Sequence, residues 1–374
     1  MSHRQLPPIS RRQFIRKSSA ASAGLALSGL LAGAAGAAPD IPRRTLGRTD
    51  LKVSEISFGS FGFSNPAVLA SALDAGFNLI DTGPMYANGK AEEAIGEIMK
   101  TRRNDAYIIT KWQAEENSTA AQLVASLDAS LKRLQTDHVD IIQTFAVDAV
   151  GPLNNQELYA AFDQAKQQGK VRFLGFSGHG GNLPTVVTRA LEINKFDACV
   201  IKFNFVDYPD LGQLTTRAAE QKVGVVAMKH KPPGTVTEPA LRWVLSQPNL
   251  SSVCVTIKSF EDVKQYAALG GQRLTPEDEQ TLQRLAAACA RTYCRYCGKC
   301  AAACTNGVKV DEIMRYAMYY RHYGYQEAAR QLYAALPRAQ QAWACLGCPG
   351  PCTQGCPHGL PTRHNLVQAH RLLV

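Results

Sequence analysis

The sequence predicts an α/β protein, a (β/α)8 TIM barrel followed by a small α-helical, cysteine-rich domain. Three observations carry this. Short apolar runs alternate with helix-like segments eight times between Arg43 and about Gly271, the rhythm of a parallel barrel. No G-x-G-x-x-G follows the first run, which demotes the runner-up, a doubly wound sheet. Eight of the 11 cysteines crowd into two arrays near the C-terminus. The 45% hydrophobic content is ordinary for a globular chain.

The first segment precedes the fold. Ser10-Arg11-Arg12-Gln13-Phe14-Ile15-Arg16-Lys17 has the twin-arginine form, a weakly apolar stretch runs from Ala20 to Ala34, and Ala35-Gly36-Ala37 offers an A-x-A cleavage site. Residues 1–37 are therefore expected to be a twin-arginine signal, with the export machinery as a partner and the periplasm, or another exported location, as destination. A basic tail with an Ala-rich segment is the plainer alternative. Gly and Ser dilute the apolar run too far for a stable membrane span.

The barrel is expected over residues 42–272. Its strand candidates are Ser54–Phe58, Asn78–Asp81, Tyr107–Lys111, Val139–Phe145, Val171–Ser177, Ala198–Phe203, Val223–Met228 and Ser252–Ile257. Amphipathic segments lie between them. In Thr119–Leu134, for example, Leu123, Leu127, Leu131 and Leu134 share one helical face.

Local motifs narrow the barrel further. Ala75-Gly76-Phe77-Asn78-Leu79-Ile80-Asp81-Thr82-Gly83 runs on to Tyr86, with Glu92-Glu93 and Gly96 following. Ile108-Ile109-Thr110-Lys111, Asp137-His138-Val139-Asp140 and Gly169-Lys170-Val171-Arg172-Phe173-Leu174-Gly175-Phe176-Ser177 come next in order. Across most of residues 43–268 the chain closely resembles the aldo-keto reductases. Its opening, Arg44 to Ser54, resembles the hairpin that plugs the barrel bottom in that family. Ala227-Met228-Lys229 and the appended cysteines resemble the branch with a C-terminal ferredoxin-like domain.

The resemblance implies a chemistry. A Tyr donates the proton as NADPH delivers hydride to a carbonyl, and a Lys held by an Asp lowers the Tyr pKa. By position these are Tyr86, Lys111 and Asp81, meeting at the C-terminal mouth of the barrel. The family's carbonyl-orienting His is replaced by Phe145, which can neither donate to an oxyanion nor polarise a carbonyl. His179, past the fifth strand, is a partial substitute or simply a polar loop residue. For NADP(H), Ser177 and Asn204 match nicotinamide contacts, and Lys258-Ser259 resembles the pair gripping the 2′-phosphate. Val200 stands in place of the usual Gln, and Gln265-Tyr266 in place of the common Glu-Asn.

Residues 273–374 are expected to form a linker helix, capped by Thr275-Pro276-Glu277-Asp278, and the ferredoxin-like domain. The arrays are Cys294-x2-Cys297-x2-Cys300-x3-Cys304 and Cys345-x2-Cys348-x3-Cys352-x3-Cys356, with Pro357 following the second. Such spacings match bacterial ferredoxins, where the last Cys of each run serves the other 4Fe–4S cluster. By that exchange, two clusters are expected: Cys294, Cys297, Cys300 and Cys356 hold one, and Cys345, Cys348, Cys352 and Cys304 the other. Zinc and disulfides are the rival readings, although zinc sites generally use separated Cys-x2-Cys pairs. Cys199, Cys254 and Cys289 read as ordinary buried thiols. Between the arrays, Tyr316, Tyr319, Tyr320 and Tyr323 form one helical stripe, read as core packing ahead of a quinone or base-stacking site.

The net charge of +10 is weak evidence for nucleic acid. Five of the positive charges belong to the signal, and ten Lys/Arg against three acids from Arg291 onward face negatively charged clusters. The surplus suits a docking redox protein of opposite sign. The expected function is exported, NADP(H)-linked carbonyl/alcohol redox chemistry on a small substrate with electron-transfer clusters. The alternative is a catalytically degraded barrel serving as an iron–sulfur electron-transfer or partner-binding protein.

Overall fold

The computed structural model describes residues 41–207, 211–232, 234–290 and 292–374. The twin-arginine segment lies outside them. An antiparallel hairpin comes first, β1 (Arg43–Thr45) paired with β2 (Lys52–Ser54), in the register Arg44↔Val53. Leu46, Leu51 and Val53 of this hairpin are buried with Leu79, Ile109, Ile141, Val200 and Val226 of the barrel interior. The hairpin thus plugs the end of the barrel away from the strand C-termini. Gly47, at φ +52°, makes this approach feasible, because a Cβ there would stand 2.2 Å from the Gly224 backbone nitrogen.

Eight parallel strands follow: β3 (Ile56–Gly59), β4 (Leu79–Asp81), β5 (Tyr107–Trp112), β6 (Val139–Thr144), β7 (Val171–Gly178), β8 (Ala198–Lys202), β9 (Gly224–Met228) and β10 (Ser252–Thr256). They pair in sequence, and β10 closes on β3 through Val253↔Ile56. The barrel is closed, so the doubly wound alternative does not apply. Most strand residues are buried on both faces, because helices cover the outside and side chains fill the inside.

The covering helices follow from local chemistry. Ala120–Leu134 begins at a capping box in which Thr119 accepts from the Gln122 amide and Gln122 accepts from the Thr119 amide. Leu123, Leu127, Leu131 and Leu134 are all buried, as their spacing predicts. Thr275 and Asp278 form the same box at the start of Pro276–Cys289. Asp278 also accepts from Arg242 at 2.7 and 2.9 Å, tying this linker helix to Thr237–Leu245 on the barrel.

The C-terminal region packs the helices Val310–His322, Gln326–Ala335 and Thr362–Leu373 around their own core, which includes Ile313, Ala317, Tyr333 and Leu366. Tyr333 donates or accepts with His370 Nδ1 at 2.6 Å and accepts from the Ala342 amide. Among the described residues, no helix is long and apolar enough to cross a membrane.

This domain sits over the mouth of the barrel. Lys202 at the end of β8 donates to the Arg295 carbonyl at 2.7 Å, and Tyr325 donates to the Phe61 carbonyl at 3.2 Å. Arg315 lies 3.6 Å from Asp148 and 3.3 Å from His179. Backbone meets backbone at Gly181, where a Cβ would stand 2.2 Å from the Tyr296 carbonyl oxygen.

Candidate active site and cysteine quartets

The strand ends place three of the expected residues together. Asp81 ends β4, Lys111 lies in β5, and Tyr86 opens the 3-10 turn Tyr86–Gly89 beyond β4. All three line a cavity of about 430 Å³ at the barrel mouth, a size suited to a small molecule. Lys111 Nζ donates to Asp81 Oδ1 at 2.6 Å and to the Thr82 carbonyl at 2.5 Å. The other Asp81 oxygen accepts from Gln143 at 3.0 Å. A buried charge pair with every strong acceptor matched is the arrangement that tolerates desolvation. Gln143 was not singled out in the sequence; the signal for it was an amide inside the otherwise apolar run of β6.

Tyr86 departs from expectation in one respect. Burial, with Asp81 next, pushes its phenol well above the usual tyrosine range. Lys111 donates to Asp81 and Thr82, and its Nζ faces the Tyr86 ring, 4.7 Å from the centroid. Tyr86 is therefore a neutral phenol, suited to give a proton to a strongly basic oxygen. Phe61 and Phe145 meet its ring edge-on, at 5.1 and 6.4 Å. Phe145 does occupy the cavity wall, and it supplies no hydrogen bond. His179 lines the same cavity, and burial lowers its pKa well below the usual range, with Lys229 and Arg315 adding to the effect.

The roof comes from the cysteine-rich domain. Tyr319 and Tyr323 line the cavity together with Tyr325. The tyrosine stripe is thus divided, which corrects its reading as core packing alone. Tyr316 and Tyr320 turn towards the domain's own core, whereas Tyr319 and Tyr323, stacked at 6.0 Å, close the barrel mouth. Cys254 also needs correcting, since it is half-buried and lines the cavity instead of lying in a sealed core.

The four residues expected to contact NADP(H) are already engaged. Ser177 Oγ accepts from the Ala146 amide at 3.0 Å. Asn204, fully buried, donates to Asp207 and to the Lys229 carbonyl, and accepts from the Val206 and Asp207 amides. Ser259 caps the helix Phe260–Leu269 through the Asp262 amide. Lys258 lies against the Tyr325 ring, its Nζ 4.1 Å from the centroid. Ser177 and Lys258 line the cavity, while Asn204 and Ser259 do not. Ser177, Asn204 and Ser259 thus make hydrogen bonds within the protein, and the exposed Lys258 rests against the Tyr325 ring.

The cysteines form two quartets with exchanged fourth members. Cys294, Cys297, Cys300 and Cys356 line one void, beside Tyr296 and Leu360. The electrostatic neighbours of Cys345 are Cys352, Cys304 and Cys348. All eleven cysteines are unpaired, and among the described residues no three metal-ligating side chains gather closely enough for a single ion. Four cysteines drawn from the two closely spaced arrays converge on one void, which suits a cluster; zinc generally draws on separated Cys-x2-Cys pairs. Burial pushes the Cys294 and Cys300 thiols up to about 12, with Cys297 and Cys356 contributing, and Cys345 to about 11. Such thiols become thiolates when iron compensates them. The Gly350 amide and Asn306 both point at Cys348 Sγ, at 3.4 and 3.6 Å, contacts of the kind that tune a cluster's potential.

Comparisons with known proteins agree with this division of the chain. Residues 62–232 match the aldo/keto reductase family, and residues 293–360 match the 4Fe-4S dicluster domain. An uncharacterized oxidoreductase of Bacillus subtilis is 25% identical over 296 residues, covering 64% of this chain and 95% of its own length. The L-galactose dehydrogenase of Arabidopsis thaliana is 28% identical over 232 residues, 57% of this chain and 72% of that protein. The holo form of an aldo-keto reductase from Bacillus halodurans superposes with a TM-score of 0.57 at 23% identity, covering 66% of this chain and 96% of that one, a likeness of fold.

Proposed function

From an aldo/keto reductase family domain and a 4Fe–4S dicluster domain on one chain, we propose an oxidoreductase that interconverts a small carbonyl and its alcohol inside the roofed cavity. One observation carries this: Tyr319, Tyr323 and Tyr325 of the cysteine-rich domain close the same cavity into which Asp81, Tyr86 and Lys111 project. The two domains thereby share one reaction chamber. The dehydrogenase among the relatives supports alcohol oxidation as the class of chemistry.

The residues divide the work. Tyr86 hydrogen-bonds the substrate oxygen and gives up its proton as that oxygen becomes alkoxide-like, a base strong enough to take it from a phenol held above its usual range. Lys111 donates to Asp81 and to the Thr82 carbonyl and fixes the floor beneath Tyr86. Phe145 and Phe61 grip the Tyr86 ring and exclude water. Interconversion of a carbonyl and its alcohol exchanges two electrons and two protons: bound 4Fe–4S clusters would pass the electrons one at a time, Tyr86 would handle the proton on oxygen, and the proton on carbon would exchange with solvent. The quartet containing Cys294 lies beside Tyr296, whose electrostatic neighbours include Tyr319 and Tyr323 of the cavity roof. The reading keeps the twin-arginine motif as an export signal, hence a periplasmic site of action and a separate redox protein as electron partner.

A second reading has its own observation. Phe145 puts a ring with no hydrogen-bond donor in the cavity wall beside Tyr86, which favours a barrel that serves only as scaffold for electron transfer. The two are separated with anaerobically purified, cluster-loaded protein. Under the first reading, Tyr86→Phe abolishes carbonyl/alcohol turnover driven by a viologen couple, while the clusters keep their visible spectrum. Unchanged turnover in that variant would exclude Tyr86 as proton donor and leave the scaffold reading. Titration with NADPH is expected to show little binding; tight binding would restore the dinucleotide as hydride source.

A further inference from the structure

Lys229 follows β9 at φ +52°, a left-handed backbone that costs a non-glycine residue of order 1–2 kcal/mol. Its Nζ is buried without a hydrogen-bond partner, as is Nε2 of the neighbouring His230, and both residues line the cavity. The other charged groups lining that wall are committed. Lys231 donates to the Thr235 carbonyl and the Thr237 hydroxyl, Lys258 lies on Tyr325, and Lys111 is paired with Asp81. The carboxylate of Asp262 caps the Phe260–Leu269 helix. Lys229 reaches only an aromatic face, the Tyr319 ring, 5.5 Å from its centroid.

A buried ammonium and a buried imidazole nitrogen without acceptors are destabilising unless something completes them. The expected amide-reading Gln is Val200 on this wall, so the cavity has lost a group for a neutral carboxamide and gained an unmatched cation. We propose that the cavity takes a small organic carboxylate, its charge held by Lys229 and His230 and its carbonyl or hydroxyl carbon presented to Tyr86. The inference rests on the cavity being the reaction chamber and names the class of substrate it accepts. Tyr319 spans the two ends: its ring faces Lys229 on one side, and its hydroxyl is among the groups that raise the Tyr86 pKa on the other.

The electrostatics agree with that geometry. Burial pushes Lys229 well below the usual ammonium range; Arg315 of the helix Val310–His322 and Lys202 of β8 add to this, and Asp148 and Asp207 oppose it more weakly. His179 and His230 are likewise held neutral by burial. A bound carboxylate would offset that burial and favour the charged ammonium.

The test uses the cluster-loaded full chain and a matched pair of probes, 4-carboxybenzaldehyde and its neutral amide, 4-formylbenzamide, titrated calorimetrically. The carboxylate is expected to bind at least about tenfold more tightly than the amide, the scale of one charge-assisted hydrogen bond. Lys229→Met should erase the preference, leave amide binding in place and melt no lower than the wild type, because it removes an uncompensated buried charge. Equal affinity for the two probes, or a preference that survives in both Lys229→Met and Lys229→Gln, overturns the proposal. So does binding of inorganic pyrophosphate through Lys229 with no carboxylate preference, which would mark the wall as a phosphate site. The Tyr86→Phe variant separates the two levels. If its turnover is unchanged while the carboxylate preference persists, the reductase reading fails and the anion site stands. If turnover is lost but the wild type shows no preference, the reverse holds.

Discussion

Replacing Gly181 by Ala tests whether the barrel and the cysteine-rich domain act as one body. The added Cβ would lie 2.2 Å from both the Tyr296 carbonyl oxygen and the Cys297 carbonyl carbon, and 2.4 Å from the Cys297 Cα. Ordinary contact begins at 3.4 Å, so one of two backbones has to move by about 1 Å, and neither is a side chain that can swing away. Overpacking of that kind costs about 1–3 kcal/mol, and the displaced segment carries Cys297, a member of the inner quartet. The expected result is a melting temperature lower by about 3–10 °C, with faster bleaching of the clusters' visible absorbance in air. Gly347→Ala is the matched control, since Gly347 lies between Cys345 and Cys348 with nothing within 4 Å of its added Cβ. If Gly181→Ala melts with the wild type and bleaches no faster than Gly347→Ala, the close packing of loop on loop is refuted.

Three further outcomes follow from the same contacts. Lys111→Met leaves Asp81 buried with only Gln143 as donor, and destabilisation of about 3–5 kcal/mol is expected from chemical denaturation. Tyr325→Ala uncovers Lys258, so NADPH affinity by fluorescence titration should rise between about two- and thirtyfold, the range of a cation–π contact; no change would mean that Tyr325 is not what masks that lysine. Burial works to raise the Asp278 pKa, but hydrogen bonds from Arg242 and the Thr275 amide hold it below the usual value. A depressed carboxylate gives stability that is present above its unfolded value, about 3.9, and is lost as pH falls through the folded value. Arg242→Met should therefore weaken anchoring of the linker helix at pH 7 and flatten the acid dependence of its amide exchange, leaving wild-type and variant alike at the lowest pH.

The barrel was legible because its information is local. Each strand is a short apolar run bounded by turn residues, and each covering helix carries its own cap and stripe, as Thr119 and Leu123 to Leu134 show. Asp81, Tyr86 and Lys111 were found through motifs tied to strand ends, which the barrel topology brings to one mouth. The roof was not legible. Tyr325 meets Phe61 across 264 residues of chain, and a helical stripe gives the same pattern whether it faces its own domain or another. Tyr316 lies in its own domain's core, whereas Tyr319, three residues on, packs against that core and the barrel's as well. The state of Tyr86 was also beyond sequence, because it depends on where the Lys111 ammonium points and on burial beneath a distant domain. Ser177, Asn204 and Ser259 show the converse: residues matched by position make hydrogen bonds with neighbouring loops and helix ends that sequence does not reveal.

The origin of the roof also sets an order of assembly. The last strand of the barrel ends at Thr256, whereas the tyrosines that close its mouth are Tyr319, Tyr323 and Tyr325. On a chain that folds from its N-terminus as it is made, the barrel stands open until some sixty residues later. The chamber becomes a chamber only when the iron-binding region has folded on top of it. Closure of the cavity therefore waits on folding of the cysteine-rich region, and a chain ending before Tyr319 would carry a finished barrel with an open mouth.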